Sequence, residues 1–302
     1  MIELDLALLC GTMSQWFCEG LSRELKIEPL KLESRKFPDG ESYVRLDGDV
    51  GGKDVILAQS LSPPQNDSIW ELILLMEALG EARARRIILY IPYMAYSRQD
   101  KAFLQGEPIS IKALLQILSF MGGSSLVTID LHKEHSLMFF RGKAYNVLPI
   151  ESLSEKILEK VRDPLIIAPD AGAMQRASAI AKRIGAPFAQ LSKRRDLRTG
   201  EVKIQAEGID VGGRRAVIVD DIISTGGTVA KAASILREAG AVEVYVAVSH
   251  ALMAQNAMDK LKSAGVSGVI AANTLPPKPG IEYFDVTREA ARALREALGL
   301  SP

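Results

Sequence analysis

Asp220 and Asp221 are followed, after two apolar residues, by Ser224-Thr225-Gly226-Gly227-Thr228. No other stretch of the chain combines residue types so suited to chemistry. Glycines let backbone N–H groups approach an anion closely, and a helix starting there points its positive end at the same place. The loop therefore suits a phosphate. The carboxylates would repel one, and suit sugar hydroxyls or a metal ion beside it. Phosphate and hydroxyls together describe a sugar phosphate. The plainer alternative is an ordinary strand-to-helix connection with N-caps at Ser224 or Thr225. Two nucleotide-binding loops fail on spacing: no Lys follows the glycines, and the dinucleotide fingerprint is absent.

Further reactive residues stand apart from this loop. Phe37-Pro38-Asp39-Gly40-Glu41 offers an aromatic face for a purine and carboxylates for its amino group. Its competing reading is a hairpin turn with one core Phe. Pro92–Gln105 presents Arg98, Gln99, Asp100 and Lys101 after an apolar run. Asp130-Leu131-His132 ends another such run, and His132 suits a divalent metal or phosphate oxygens. His135 reads as a surface residue. Asp170 follows Leu165–Ala168 at an equivalent strand end and suits the same metal. Ser192-Lys193-Arg194-Arg195 opens a charged segment, suited to a cationic lid over phosphates in phosphoryl transfer.

Alternating strands and helices must position these groups. Apolar runs predict strands at Leu6–Cys10, Asp54–Ala58, Arg86–Ile91, Leu126–Asp130, Leu165–Ala168, Ala216–Val219, Glu243–Val248 and Val269–Ala272. Helical periodicity predicts Met13–Leu25, Asp67–Ala82, Ile109–Met121, Ile150–Val161, Met174–Ile184, Val229–Ala239 and Ala254–Ala264. The alternation is that of doubly wound α/β domains with mainly parallel sheets. Strand–turn–helix segments from Leu6, Asp54 and Arg85 recur at Leu165, Arg215 and Val242, an offset of about 160 residues. The chain is thus read as two copies of one fold, 1–147 and 148–284, with an amphipathic terminal helix (285–302) packing back on the body. In the first copy Gln59-Ser60 replaces Asp-Asp and Ser-Pro-Pro-Gln replaces the glycine loop. That copy is free for another ligand.

Composition sets the limits. The 302 residues are 47% hydrophobic, enough for two cores. Lys+Arg and Asp+Glu balance at 37 each, so no basic field favours nucleic acid. No segment is apolar enough to span a bilayer, and MIELDLALLC lacks a secretory signal's basic start, which together predict a cytoplasmic protein. Cys10 and Cys18 have neither zinc nor redox spacing and are expected as two structural thiols.

FPDGE, NDSIWELILLMEAL, IPYMAYSRQDK, EPISIKALLQIL, TIDLH, IIAPDAGAMQRA, SKRR and VDDIISTGGT occur in that order. In this the chain resembles the ribose-phosphate diphosphokinases, with their two phosphoribosyltransferase-like domains. The resemblance implies transfer of the β,γ-diphosphoryl group of ATP to the anomeric hydroxyl of ribose 5-phosphate. It implies that Phe37, Asp39, Gly40 and Glu41 serve the adenine site of a neighbouring subunit in a homo-oligomer, at least a dimer. Arg98, Gln99, Asp100 and His132 would contact ATP, and His132 and Asp170 would hold Mg2+. Lys193 and Arg195 match the catalytic loop. Asp220, Asp221, Ser224, Thr225, Gly226, Gly227 and Thr228, with Arg195, match the ribose 5-phosphate site. Ser224 stands where many members carry Asp, and Asp196 where Pro is frequent. A phosphoribosyltransferase would explain Asp220–Thr228 but leave FPDGE, SRQDK and SKRR idle. A silent regulatory relative would show erosion at Lys193, Arg195, His132 or Asp170, and none is eroded.

Overall fold

The computed structural model describes residues 5–195, 202–206 and 210–300, with side chains described at all of these except 192–195 and 202–206. The chain divides into two compact units. One runs to Val147 and takes in Thr274–Pro276 and the segment from Asp285; the other comprises Leu148–Asn273 and Pro277–Phe284.

The first unit contains β1 (Leu6–Cys10), α1 (Gln15–Leu25), β2 (Pro29–Lys36), β3 (Ser42–Asp47), β4 (Asp54–Ala58), α2 (Gln65–Glu81), β5 (Arg86–Ile91), α3 (Ser110–Phe120), β6 (Gly123–Ile129) and β7 (Lys143–Val147). The second contains α4 (Ile150–Lys160), β8 (Pro164–Ala168), α5 (Met174–Ile184), β9 (Phe188–Arg195), β10 (Val202–Ala206), β11 (Arg215–Ile223), α6 (Gly227–Glu238), β12 (Glu243–Ala251), α7 (Ala257–Ser263), β13 (Gly268–Ala272) and β14 (Glu282–Phe284). Helix α8 (Thr287–Leu298) follows and belongs to the first unit. It buries Ala290, Ala291, Leu294 and Leu298, and Arg295 donates to the Glu24 carbonyl.

Both sheets have seven strands in the same order: β3-β2-β1-β4-β5-β6-β7 and β10-β9-β8-β11-β12-β13-β14. Two chance α/β domains need not share a strand order, so the faint sequence repeat is a repeat of topology. All neighbours are parallel except the hairpins β2–β3 and β9–β10. Central strands β4 and β8 are buried along their whole length, as unalternating apolar runs require when helices cover both faces. Strands β2, β3, β7, β10 and β14 escape a search for apolar runs. The first two lie at a sheet edge, where charged residues such as Lys31, Glu33 and Arg35 face solvent.

Two expectations are corrected. Cys10 and Cys18 form a disulfide. The chain leaves β1 at Cys10 and turns at once into α1, which brings the two Cα atoms to 6.3 Å, within bridging range. A spacing rule could not see this, because the approach is made by the strand–helix reversal. Helix α7 begins at Ala257 and not at Ala254, because Met253 and Gln255 take left-handed φ values of +48° and +54°.

The disulfide closes a short loop, for which chain entropy gives about 2–3 kcal/mol. Reduction should lower the unfolding midpoint of the first unit by about 5–10 °C, and Cys10→Ser with Cys18→Ser should match reduced wild type. Calorimetry with and without reductant checks this; coincident transitions would refute it.

Candidate active site

In the second unit, functional groups gather at the carboxyl edges of β8 and β11, which are adjacent and parallel. Strand β11 continues through both aspartates to Ile223, held by the Ile222↔His250 and Ile223↔Ala251 pairs of β12. The carboxylates are therefore fixed on a rigid strand and not on the loop after it. Asp221 is 5% exposed, and its N–H donates to Asp220 Oδ1 at 2.9 Å. Burial, then the neighbouring Asp221 charge, pushes the Asp220 carboxyl up to about 8. Near neutral pH the pair therefore retains a proton, giving one donor and several acceptors for sugar hydroxyls.

Arg176 in α5 is the residue that the sequence reading missed. Its Nη1 lies 3.7 Å from Asp220 Oδ1 and donates to the Gly172 carbonyl at 3.2 Å. The guanidinium opposes the upward shift at Asp220 and ties the β8 turn to β11. Its signal in sequence was an Arg in the first turn of a helix just past a strand-end Asp. Asp170, in that turn, accepts through Oδ1 from the N–H groups of Gly172 (2.8 Å) and Ala173 (3.2 Å).

After β11 the chain turns into α6. Its N-cap is Gly226, at φ +76°, and no side chain caps it, so neither Ser224 nor Thr225 has the capping role of the plainer alternative. A Cβ at Gly226 would lie 3.3 Å from the Ala257 carbonyl in a conformation that L residues rarely adopt. A Cβ at Gly227 would meet nothing within 4 Å. The first turn of α6, with Thr228, thus faces open space with N–H groups that need an acceptor.

Lys193 and Arg195 stand at alternate positions of β9, paired with Ile204 and Val202 of β10. Their side chains, and residues 196–201, lie outside what the structure describes. The hairpin occupies the place in its sheet that β2–β3 occupies in the first.

In the first unit, neighbouring strands β5 and β6 deliver the other group. Asp130 closes β6 buried and at φ +41°, its N–H bonded to the Val147 carbonyl. The Leu131 N–H donates to Asn146 Oδ1 at 2.7 Å, so the backbone entering His132 is fixed. Gln99 accepts from Ser110 Oγ, and Asp100 Oδ2 lies 3.7 Å from His135 Nε2. That contact joins the Arg98–Asp100 loop to the segment carrying His132. His135 itself is 59% exposed. Arg98 is exposed beside these residues.

Phe37–Glu41 closes the β2–β3 hairpin, with Phe37 N–H donating to the Glu41 carbonyl and Gly40 at φ +97°. It is the hairpin turn of the competing reading, but Phe37 is not core: it is 36% exposed, with the Arg35 guanidinium 4.5 Å from its ring centre. Strand β2 pairs with β1 only through Pro29 and Leu30. Lys31–Lys36 then pair with β3 alone, so the loop sits at the tip of a two-stranded arm. Strands β1 and β4 separate this arm from β5, a lateral gap of about 14 Å. No described contact joins Phe37 to Arg98–Asp100.

A family model described as the N-terminal domain of ribose phosphate pyrophosphokinase matches residues 6–122, and a phosphoribosyl transferase domain matches 146–274. The chain is 38% identical over 286 residues to ribose-phosphate pyrophosphokinase of Sulfolobus acidocaldarius, covering 94% of this chain and 98% of that protein. It belongs to the ribose-phosphate pyrophosphokinase family. The Pyrococcus furiosus member is 43% identical over 245 residues, covering 81% of this chain and 86% of its own. Phosphoribosylpyrophosphate synthetase from Mycobacterium smegmatis superposes with a TM-score of 0.87 at 30% identity, over 98% of this chain and 99% of that one. The family is one of enzymes, and the two phosphoribosyltransferase-like units are its architecture.

Proposed function

We propose that this enzyme transfers the β,γ-diphosphoryl group of ATP to the anomeric hydroxyl of ribose 5-phosphate, giving 5-phosphoribosyl 1-diphosphate and AMP for nucleotide biosynthesis. One observation carries the reading: the buried Asp220–Asp221 pair stands directly before an open, uncapped helix N-terminus in one copy of a duplicated fold. The other copy has Gln59-Ser60 and Pro63-Pro64 there. The second unit (148–284) is the ribose 5-phosphate side. The first (1–147) is the ATP side, and 285–302 is its terminal helix.

In this reading the α6 N-terminus and Ser224–Thr228 hold the 5-phosphate, while Asp220 and Asp221 receive ribose hydroxyls. The anomeric oxygen attacks the β-phosphorus, the bond from that phosphorus to the α,β-bridging oxygen breaks, and the bridging oxygen leaves with AMP. The proton of the anomeric hydroxyl passes to solvent. Lys193 and Arg195 neutralise the charge gathering at the β-phosphate; both are cations at neutral pH, so neither is the base.

His132 and Asp170 are the proposed Mg2+ ligands. Among the described residues no group of three or more His, Cys, Asp or Glu is placed to hold a metal unaided. That fits an ion held largely by ATP oxygens and water with one or two protein ligands. Asp170 keeps Oδ2 for this, since its amide contacts use Oδ1. When bound, Mg2+ would supply charge neutralisation at the phosphate oxygens.

The β2–β3 arm supports a homo-oligomer, at least a dimer, with Phe37, Asp39, Gly40 and Glu41 completing a neighbour's adenine site beside Arg98, Gln99 and Asp100. Lys36 ties the arm to Asp67 of α2, and its semi-exposed aromatic tip is the part that gains from a partner. Among the described residues no helix is long and apolar enough to cross a membrane. A cytoplasmic location is the reading that ATP and ribose 5-phosphate as substrates support.

Incubation with ATP, ribose 5-phosphate and Mg2+ tests the reading. AMP as the nucleotide product supports it, ADP would indicate an ordinary kinase, and no turnover a silent relative. Phe37→Ala should raise KM for ATP about 10-fold with KM for ribose 5-phosphate unchanged, in line with ~1–3 kcal/mol for base stacking. Equal KM values for ATP in variant and wild type would remove Phe37 from the adenine site.

A further inference from the structure

The phosphate loop does not hold its own shape. Ile223, Ser224 and Thr225 expose backbone carbonyls toward the segment between β12 and α7, and each is taken. Met253 N–H donates to the Ile223 carbonyl at 3.1 Å and Ala254 N–H to the Ser224 carbonyl at 2.9 Å. Lys260 Nζ donates to the Thr225 carbonyl at 3.3 Å. Ala257 packs against Gly226, so that a Cβ there would meet the Ala257 carbonyl at 3.3 Å.

This supporting segment is itself under load. Met253 and Gln255 both lie in the left-handed region without being glycine, which costs on the order of 1 kcal/mol or more each and needs an outside restraint. Met253 packs into the core, while the other side of the segment borders a solvent-open pocket of about 220 Å³ lined by Met253, Met258, Lys278 and Ile281. The restraint is Lys278. Its Nζ donates to the carbonyls of Leu252 (2.6 Å) and Met253 (3.4 Å), and its own N–H donates to Tyr283 Oη at 2.8 Å.

We infer that Leu252–Asn256 is a brace for the phosphate loop, clamped by Lys278 from behind and by Lys260 at the loop itself, and that these two lysines are positioning residues for sugar-phosphate binding. The inference rests on the reading of Ser224–Thr228 as the phosphate loop. Both ammonium groups act through backbone carbonyls, and neither needs to touch the substrate. The Lys260 charge, at the Thr225 carbonyl, also adds to the positive end of α6, so part of its effect should weaken with salt.

The test is steady-state kinetics on the full-length enzyme, with ribose 5-phosphate titrated calorimetrically without ATP. Lys278→Met should raise both KM and Kd for ribose 5-phosphate about 10-fold, leave KM for ATP unchanged and keep kcat within about twofold. Lys278→Arg, which retains a cationic donor, should recover most of the loss. Lys260→Met, at an exposed site where folding is not at stake, should give a smaller loss of about threefold. Unchanged ribose 5-phosphate binding in both Met variants, or parallel loss of both substrates' KM with a fallen melting temperature, overturns the brace. Thr228→Val separates this from the underlying reading: full ribose 5-phosphate affinity in that variant would refute the phosphate loop itself.

Discussion

Lys193→Ala lowers turnover at least ~100-fold while ribose 5-phosphate binding stays within about twofold of wild type. The expectation follows from where charge moves. Ribose 5-phosphate arrives with its negative charge on the 5-phosphate, which the α6 N-terminus and its loop receive. New charge appears only as the β-phosphorus changes partners, and a cation there stabilises the transition state more than the bound substrates. Loss of one such donor typically costs about 2.7–4 kcal/mol of barrier. AMP formation and calorimetric titration read the two halves separately. Near-normal turnover would take Lys193 out of the chemistry. Mixing adds a check on the proposed shared adenine site. Phe37→Ala and Lys193→Ala chains, each impaired at low ATP, should regain about a quarter of wild-type activity when co-assembled as dimers, because half the dimers are mixed and each holds one intact site. No recovery would place Phe37 in the same site as the Lys193 of its own chain.

Asp220→Asn lowers ribose 5-phosphate affinity at least ~30-fold and at the same time stabilises the ligand-free protein. Both effects come from the buried pair. The folded state raises the Asp220 carboxyl from an ordinary 3.8 to about 8, so between those values it holds a proton that the unfolded chain has released. Stability contributed at this site is therefore full below about 3.8 and falls as pH rises toward 8. The amide has no charge to bury, so the variant should gain on the order of 1–3 kcal/mol over wild type at pH 8 and close to nothing at pH 4. It loses affinity because the hydroxyl oxygen of the protonated carboxyl can both donate and accept, whereas the amide NH2 only donates and opposes a hydroxyl donor. Thermal unfolding at the two pH values, with ribose 5-phosphate titrations alongside, decides it. A melting difference independent of pH would show that the pair is not strained by like charge. A gain in stability against a loss of binding is the trade expected where a site keeps an unfavourable pair for its ligand.

Much of this molecule was decided by sequence. Four-residue apolar runs such as Val217–Val219 with Ala216 suit strands covered on both faces, and their alternation with amphipathic segments predicts mainly parallel sheets. The order of the charged and glycine segments put Asp130–His132, Asp170 and Asp220–Thr228 at strand ends. Composition and spacing could do no more, because they register neither edges nor reversals. The edge strands β2 and β3 carry alternating charge, so the arm that lifts Phe37 off the sheet emerges only from their pairing. Cys10 and Cys18 meet only because the chain reverses between them. Arg176 reaches Asp220 across two strands that are distant in sequence and adjacent in the sheet; Lys260 reaches the phosphate loop, and Lys278 the segment behind it, from stretches of no recognisable motif. Chemistry carried by adjacent residues can be read along the chain, since covalent spacing fixes it. The buried proton on Asp220 and the restraint on the phosphate loop depend on which distant groups the fold packs against them, and only the tertiary structure decides that.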